Sequence, residues 1–255
     1  MRLVNTIVLV LSAVLLLILA RSGAVYSLSD GEVAALRDLQ DAWNLKSWQN
    51  RSISCELPGL SCDPNGHVYR LTLLWPPMQA ETTGPIPDSI GQLRWLILLQ
   101  LRLPITGSLP EGIGGLTSLL GLEISGGLEG PLPRSLGTLT RLQGILLQPT
   151  AQLYGPALNG SLTLLQELPN LTTFSAPYNQ FSGSLPPTLA SSQLQKLELH
   201  SNKLTGVVPE WVCGVQTFSL QGNSFACPLP SCCLNSLSFR CANSQTVPCF
   251  PPNDQ

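Results

Sequence analysis

The sequence predicts an α/β solenoid of stacked repeats in which one face is a parallel β-sheet. Three observations support this prediction. A Gly-x-(Ile/Leu/Val)-Pro tetrad recurs along the chain, short stretches of alternating leucines precede it, and all eight cysteines follow an apolar amino-terminal segment. Self-similarity at a fixed period of about 20 to 50 residues is typical of solenoids, in which no single repeat buries its apolar face alone.

The amino-terminal segment has the features of a secretory signal. Arg2 precedes an apolar run over residues 7–20, and Ser22, Gly23 and Ala24 follow it as small residues suited to cleavage. The run is shorter than the roughly 20 apolar residues that cross a bilayer. We therefore predict that residues 1–24 are a cleaved signal peptide and that the mature chain, without a transmembrane segment, is secreted, extracellular or in the cell wall. A retained signal anchor is the alternative.

The charge balance argues against nucleic acid as a partner. Removing residues 1–24 takes away Arg2 and Arg21 and no acidic residue, so 11 of the 13 basic residues remain against 15 acidic ones. Nucleic-acid binding needs a basic face that displaces counterions. Charged residues make up 11% of the chain, against about 25% in ordinary soluble domains, so neutral polar groups are expected to dominate the surface.

The cysteines predict disulfide bonds. They are even in number and lie in the part expected to be exported, as Cys55, Cys62, Cys213, Cys227, Cys232, Cys233, Cys241 and Cys249. Oxidising compartments favour disulfides, and Cys55 with Cys62 is the candidate local pair. The six that begin at Cys213 leave their pairing open. The adjacent Cys232 and Cys233 have no histidine nearby in sequence, so we expect no metal and no cofactor.

The tetrads and the alternating leucines divide the chain into repeats. Tetrads begin at Gly84, Gly107, Gly130, Gly183 and Gly206, and degenerate members at Gly160 and Cys227 bring the count to seven turns over residues 68–230. Alternating leucines indicate a short strand with one buried face, the first over Val68 to Leu73. In repeats five to seven an asparagine then turns the chain, whereas the first four repeats place other residues there and are expected to turn less regularly: Asn179, Asn202 and Asn223, against Pro76, Pro104, Gly127 and Thr150.

Different segments flank the repeats. Ser29-x-x-Glu32 is a candidate capping box, and Leu36, Leu39 and Trp43 follow at helical spacing, which predicts a helical amino-terminal cap over residues 25–67. Residues 231–255 are rich in cysteine and proline and poor in periodic leucines. We expect them to seal the last repeat as a disulfide-rich carboxyl-terminal cap and tail.

The unit L-x-x-L-x-L-x-x-N-x-L-x-G-x-I-P resembles the plant-type extracellular leucine-rich repeat of receptor ectodomains and polygalacturonase-inhibiting proteins. The resemblance implies a right-handed leucine-rich-repeat superhelix with a parallel concave sheet. It also implies a secreted, non-catalytic recognition module that binds a protein, such as a pathogen wall-degrading enzyme or a receptor, or a glycan on the concave face. The alternative is a structural cell-wall or matrix glycoprotein without a single ligand.

Residues between the inward leucines point outward on such a sheet and are the candidate ligand-binding residues. They are Tyr69, Arg70, Trp75, Gln100, Arg102, Glu123, Gln148, Tyr178, Lys196, Glu198 and His200. Ile97, Leu98 and Ser175 are expected on the same face. Trp75 and Tyr178 are the favoured anchors, because aromatic groups carry much of the energy at interfaces. The competing interpretation is that the cap or irregular turns cover Trp75, Ile97 and Leu98.

Three further features bear on function. Sequons predict N-linked glycans at Asn50, Asn159 and Asn170. The fourth repeat has an insertion centred on residues 153–157, which is either a binding loop or sequence drift. His67 and His200 are about five rungs apart, roughly 24 Å, and no nucleophile elbow accompanies them, so we expect no enzyme activity.

Overall fold

The computed structural model describes residues 27–74, 83–149, 157–187, 189, 193–226 and 230. The predicted signal peptide, Trp75, most of the insertion in the fourth repeat and the cysteines from Cys227 onward lie outside these ranges. Among the described residues, no helix is long and apolar enough to cross a membrane.

The amino-terminal cap begins with helix α1, Asp30–Trp43. The predicted capping box is confirmed, because the Ser29 side chain accepts from the backbone N–H of Glu32 while the Ser29 N–H donates to the Glu32 carboxylate at 3.0 Å. Leu36, Leu39 and Trp43 line the buried face. The disulfide between Cys55 and Cys62 is also confirmed. Cys213 is disulfide-bonded as well.

The concave side is an eight-stranded sheet. Its order is β1 (Leu60–Cys62), β2 (Val68–Leu74), β3 (Leu98–Gly107), β4 (Gly121–Leu128), β6 (Gly144–Pro149), β8 (Thr173–Ser175), β10 (Lys196–Glu198) and β12 (Thr217–Ser219). Strand β1 is antiparallel to β2, and the seven others are parallel. Each parallel strand is one rung of the predicted solenoid.

A second sheet, which the repeat pattern did not predict, runs along the side of the solenoid where the strands of the concave sheet end. It is four-stranded, in the order β11 (Lys203–Leu204), β9 (Gln180–Gly183), β7 (Leu158–Gly160) and β5 (Gly130–Pro131). Apart from Gly84, the glycines that open the tetrads have positive φ, for example Gly107 at 78° and Gly183 at 80°. Glycine accepts this conformation without a steric penalty, which suits it to the turn. The tetrad therefore marks a short strand of the second sheet as well as the turn beside it.

The second and third repeats, which lack the asparagine, continue as strands where the later repeats turn. Strands β3 and β4 continue through the position where the later repeats turn, and their pairing shifts register between Arg102 and Thr106. The irregularity expected there is therefore a register shift within long strands. After the shift, Thr106 and Gly107 pair with Gly127 and Leu128, so backbone groups in this segment are paired without an asparagine side chain.

The convex side returns through short 3₁₀ helices, at Asp88–Gln92, Glu111–Gly115, Arg134–Thr138, Thr163–Glu167 and Glu210–Gly214; another, Lys46–Trp48, belongs to the cap. Carboxylates link neighbouring helices: Asp88 accepts the Gly112 N–H at 2.8 Å, and Glu111 accepts the Ser135 N–H at 3.0 Å. The hydrogen bonds from the backbone and side chain of Ser135 hold the pKa of Glu111 below its usual value. Stacked rungs are thus tied together behind the sheet as well as within it.

One continuous apolar core runs from α1 to the last rung. It is built from leucines at equivalent positions of successive repeats, with Trp43, Trp48, Phe174 and Phe181 among the largest fully buried side chains. Trp43 also donates its indole N–H to the Gly84 carbonyl at 3.1 Å. The cap therefore continues the solenoid core.

Gly84 is the contact point between the cap and the repeats. A Cβ at this position would lie 2.4 Å from the Ala42 backbone oxygen in α1, which cannot move aside without shifting the helix. We expect Gly84→Ala to lower the free energy of unfolding by about 2 kcal/mol, in the range of overpacked cores. Urea denaturation would measure this. Gly214→Ala is the control, because nothing lies within 4 Å of its Cβ position, and equal losses in the two variants would contradict the assignment.

Candidate binding face

The outward residues of the parallel strands form rows that cross the concave face from rung to rung. The row through the middle of the sheet, here the central row, consists of Thr72, Gln100, Glu123, Leu146, Ser175, Glu198 and Ser219. A flanking row begins with Leu74 and continues through Arg102, Ser125 and Gln148. Register alone therefore places five of the eleven predicted binding residues in these two rows.

At the amino-terminal end of this face, four side chains form one hydrogen-bonded network. Thr72 donates to the Gln100 amide oxygen at 3.2 Å, and the Gln100 amide donates to the Glu123 carboxylate at 2.9 Å. Arg102 donates to the other Glu123 oxygen through Nε at 3.0 Å and through Nη2. Arg102 and Glu123 neutralise each other's charge, and Glu123 also holds the Gln100 amide in one orientation. Three predicted residues thus act as one rigid surface.

A second network lies at the carboxyl-terminal end. The Glu198 carboxylate pairs with Lys196 at 2.9 Å and accepts from the Ser175 hydroxyl at 2.7 Å. Burial raises the pKa of Glu198, but hydrogen bonds from Lys196 and Ser175, with the charges of Lys196 and His200, outweigh it and leave the pKa below its usual value. Glu198 is therefore ionised at neutral pH.

Tyr178 and His200 form an aromatic pair beside this network. The ring centroids are 4.9 Å apart in an edge-to-face arrangement, and His200 Nδ1 lies 3.0 Å from the Ser219 hydroxyl. Tyr178 is 52% exposed and has a φ of 57°, in the left-handed region. Ser201 and Gly222, which also precede a turn asparagine, share this conformation with φ of 57° and 72°, so it belongs to the turn of the later repeats. A large side chain rarely occupies that region, and the exposed aromatic ring is what distinguishes Tyr178 from these two equivalents.

The structure corrects three expectations about this face. Leu98 lies on the outward side of β3 but is buried, at 3% exposure. Ser175 is likewise buried, under its contact with Glu198. Leu146, which was not expected on the face, occupies the central row and is partly exposed. Its signal was hidden because Ile145, Leu146 and Leu147 are consecutive apolar residues that show no alternation.

The remaining candidates lie on several rungs. Tyr69 and Arg70 are half-buried on β2, and the Arg70 Nε is buried without a hydrogen-bond partner. Gln148 is exposed at the end of β6, and Lys196 and His200 are partly exposed. Trp75, one of the two favoured anchors, lies outside the described residues. The sequon asparagines Asn50, Asn159 and Asn170 are all exposed.

The arrangement around His200 does not resemble a hydrolytic centre. The Ser219 hydroxyl donates to the Gln221 side chain at 2.8 Å and lies 3.0 Å from His200 Nδ1. A nucleophilic serine instead needs its proton directed at the histidine. Within the ranges that the structure describes, no group of three or more His, Cys, Asp or Glu residues is placed to hold a metal ion.

Comparisons with known proteins agree with the repeat architecture. The family model described as Leucine Rich Repeat matches residues 193–215. Among solved structures, a plant ice-binding protein is 25% identical with a TM-score of 0.64, covering 78% of this chain and 65% of its own. No curated protein sequence matches the chain.

Two similar structures are plant receptors. The plant peptide hormone receptor RGFR1 in complex with RGF2 is 26% identical, has a TM-score of 0.56, and covers 69% of this chain and 31% of its own. The ectodomain of the Arabidopsis thaliana receptor kinase GASSHO1/SCHENGEN3, in complex with CASPARIAN STRIP INTEGRITY FACTOR 2, is 24% identical and has a TM-score of 0.66. The match covers 80% of this chain and 25% of the receptor chain. The chain thus spans at most 65% of these solved chains. The resemblance to plant extracellular leucine-rich-repeat proteins is confirmed.

Proposed function

We propose that this protein is an extracellular, non-catalytic recognition module that binds a peptide or an extended protein segment on its concave face. The observation that carries the proposal is the preorganisation of that face. The ion pairs of Arg102 with Glu123 and of Lys196 with Glu198 are formed within the face, and amide and hydroxyl groups there hold one another. A preordered surface loses little side-chain entropy when a ligand binds.

The dimensions and chemistry of the central row suit an extended chain. From Gln100 to Ser219 the row crosses five rung spacings, about 24 Å, which matches about seven residues of an extended peptide. Its neighbours Gln148 and Gln221 offer amides that both donate and accept, as peptide groups do. Leu146 provides an apolar contact at the centre. A ligand of mixed polarity and little net charge is therefore favoured.

The similar structures support a peptide as the partner but do not identify which peptide it is. RGFR1 is a plant peptide hormone receptor by its description and was solved with RGF2. The similar plant ice-binding protein shows that the architecture also serves another role, so the fold does not select the ligand. A wall-degrading enzyme or a glycan as partner, and the structural matrix role, remain outcomes that experiment separates.

Tyr178 is the residue on which the proposal is tested. Replacing it with glycine removes the aromatic group and relieves the left-handed strain, while glycine costs chain entropy in return. We expect Tyr178→Gly to keep the free energy of unfolding within about 1 kcal/mol of the parent and to weaken ligand binding at least about tenfold. Unchanged affinity with intact folding would show that Tyr178 is not an anchor.

The ligand is to be captured from extracellular fluid on the immobilised mature chain and identified by mass spectrometry, and its affinity measured afterwards with purified components. Val207→Ala is the matched control: Val207 is 55% exposed, close to the exposure of Tyr178, but lies in the tetrad of the sixth repeat beside the second sheet. A ligand lost by Tyr178→Gly and kept by Val207→Ala supports the proposal. Firm retention of the chain in insoluble wall material, without a soluble partner, favours the matrix role.

A further inference from the structure

The edge of the concave sheet where the strands begin carries its own row of side chains. Extending the strand register back by three residues aligns one residue from each of six rungs, here called the edge row. Its members are His67, Trp95, Ser118, Arg141, Asn170 and Gln193. This row is separate from the central row, so a site on it does not depend on the proposed function.

Trp95 is the prominent feature of the edge row. Its side chain is 54% exposed, and its ring stacks on His67 with centroids 4.9 Å apart and planes inclined by 19°. That separation equals the rung spacing, so the two rings stack along the row itself. His67 covers the indole face directed toward the cap. The opposite face is directed along the row toward the next rung. Because His67 occupies one face, the 54% exposure of the side chain comes from this opposite face and the ring edges.

The surroundings of that free face are polar. Arg94, Thr117, Thr140 and Arg141 are exposed, and no other exposed large apolar side chain of the described residues belongs to this edge. A protein-binding patch would gather several apolar groups around the tryptophan. An isolated aromatic ring among hydroxyl and guanidinium groups fits a pyranose, whose C–H bonds lie against the electron-rich π face while its hydroxyls reach the polar rim.

A source of pyranose rings lies on the same row. Asn170 is the acceptor of the sequon Asn170-Leu171-Thr172 and follows Trp95 by three rungs, about 14 Å. Its Nδ2 atom donates one of its two hydrogens to the Thr140 carbonyl at 2.8 Å, so the Asn170 side chain lies against the preceding repeat, on the side of the row that leads to Trp95. Glycosylation replaces one of the two amide hydrogens, and the other keeps this bond. The first few sugars of an N-linked glycan span such a distance.

We propose that the free indole face of Trp95 is a carbohydrate-stacking site and that the N-linked glycan on Asn170 occupies it. The glycan then lies along the edge row over Arg141 and Ser118. It shields this edge from partners and leaves the concave face open.

The test uses the full chain secreted from a glycosylating eukaryotic host, with ¹³C-labelled sugars. Intact mass gives the occupancy of Asn170. A pyranose stacked on indole shows upfield ring-current shifts of its C–H protons in NMR spectra. We expect such shifted resonances in the parent chain and their loss in Trp95→Leu, which changes an exposed side chain and should keep the fold. Tyr178→Leu is the control for aromatic stacking elsewhere.

The origin of the sugar is tested with the sequon threonine. Thr172→Ser keeps the sequon and Thr172→Ala removes it, and both leave Asn170 with its bond to Thr140. Shifted resonances present in the serine variant and absent in the alanine variant establish the Asn170 glycan as the occupant. An unoccupied Asn170, shifted resonances that survive Trp95→Leu, or shifts that persist in Thr172→Ala through the Asn159 glycan would each overturn the proposal.

Discussion

Asn202→Ala is expected to lower the free energy of unfolding by about 4 kcal/mol. The buried Asn202 amide donates to the carbonyls of Ala176 and Leu199, both at 3.0 Å, and its oxygen accepts the Phe181 N–H at 3.1 Å. Alanine leaves the buried Phe181 N–H without its partner, and a buried unpaired group costs about 1 to 3 kcal/mol. It also removes one of two side-chain bonds from each carbonyl, worth about 0.5 to 1.5 kcal/mol apiece, because Ala176 keeps its bond from Asn179 and Leu199 keeps its bond from Asn223.

The loss should also be local, because Asn202 joins two rungs. Its bond to Ala176 reaches the preceding repeat, as the bond from Asn223 to Leu199 does one rung later. Hydrogen exchange should therefore accelerate at Phe181 before it does on β3. Gln193→Ala is the control, since it removes an exposed side chain and should change stability by less than about 0.5 kcal/mol. If Asn202→Ala lowered the free energy of unfolding no more than Gln193→Ala does, the role given to the Asn202 amide would be contradicted.

Glu32→Gln is expected to cost about 3 kcal/mol at pH 7. The buried carboxylate accepts from the Ser29 N–H at 3.0 Å, the Ser29 hydroxyl at 2.7 Å and the Val68 N–H at 2.8 Å. Its Oε2 atom also lies 3.4 Å from His67 Nδ1. A glutamine amide presents N–H groups to some of these donors, and hydrogen bonds to a charged group are each worth about 1.5 to 3 kcal/mol.

The same carboxylate gives the cap a defined response to acid. Burial raises the pKa of Glu32, but the hydrogen bonds from Ser29, Val68 and His67 outweigh it and leave the pKa below its usual value. A carboxyl with a lowered pKa in the folded state stabilises the fold above its unfolded pKa of about 4.3. That contribution is lost as the pH falls through the folded value.

Urea denaturation of the parent and Glu32→Gln chains from pH 7 to about pH 3 would measure this response. We expect a constant difference above about pH 5 that shrinks below about pH 4, where the protonated acid resembles the amide. Glu111 and Glu198, whose pKa values are also lowered, are present in both chains and cancel in the difference. Glu129→Gln, at an exposed position, is the control. A difference that stays constant throughout would show that the charge of Glu32 does not stabilise the cap.

The architecture of this protein is encoded in local sequence patterns. Alternating leucines, the tetrads and the Ser29-x-x-Glu32 box each act over a few residues, so their consequences can be derived without knowing where the rest of the chain lies. The turn at Asn202 and the pairing of Cys55 with Cys62 were predictable for the same reason. Most candidate binding residues lie on the outward side of the sheet, because the direction of a strand side chain depends only on the strand's two-residue period.

The way those residues act together is set by contacts between rungs. The contact of Arg102 with Glu123, the burial of Leu98 and the exposure of Leu146 all depend on the register between rungs, which insertions and register shifts alter. The stack of Trp95 on His67 joins residues 28 positions apart, and no local pattern signals it. The second sheet depends on where each chain segment lies after its turn. Contacts across rungs arise from packing between repeats, and a one-dimensional pattern within a repeat does not contain that information.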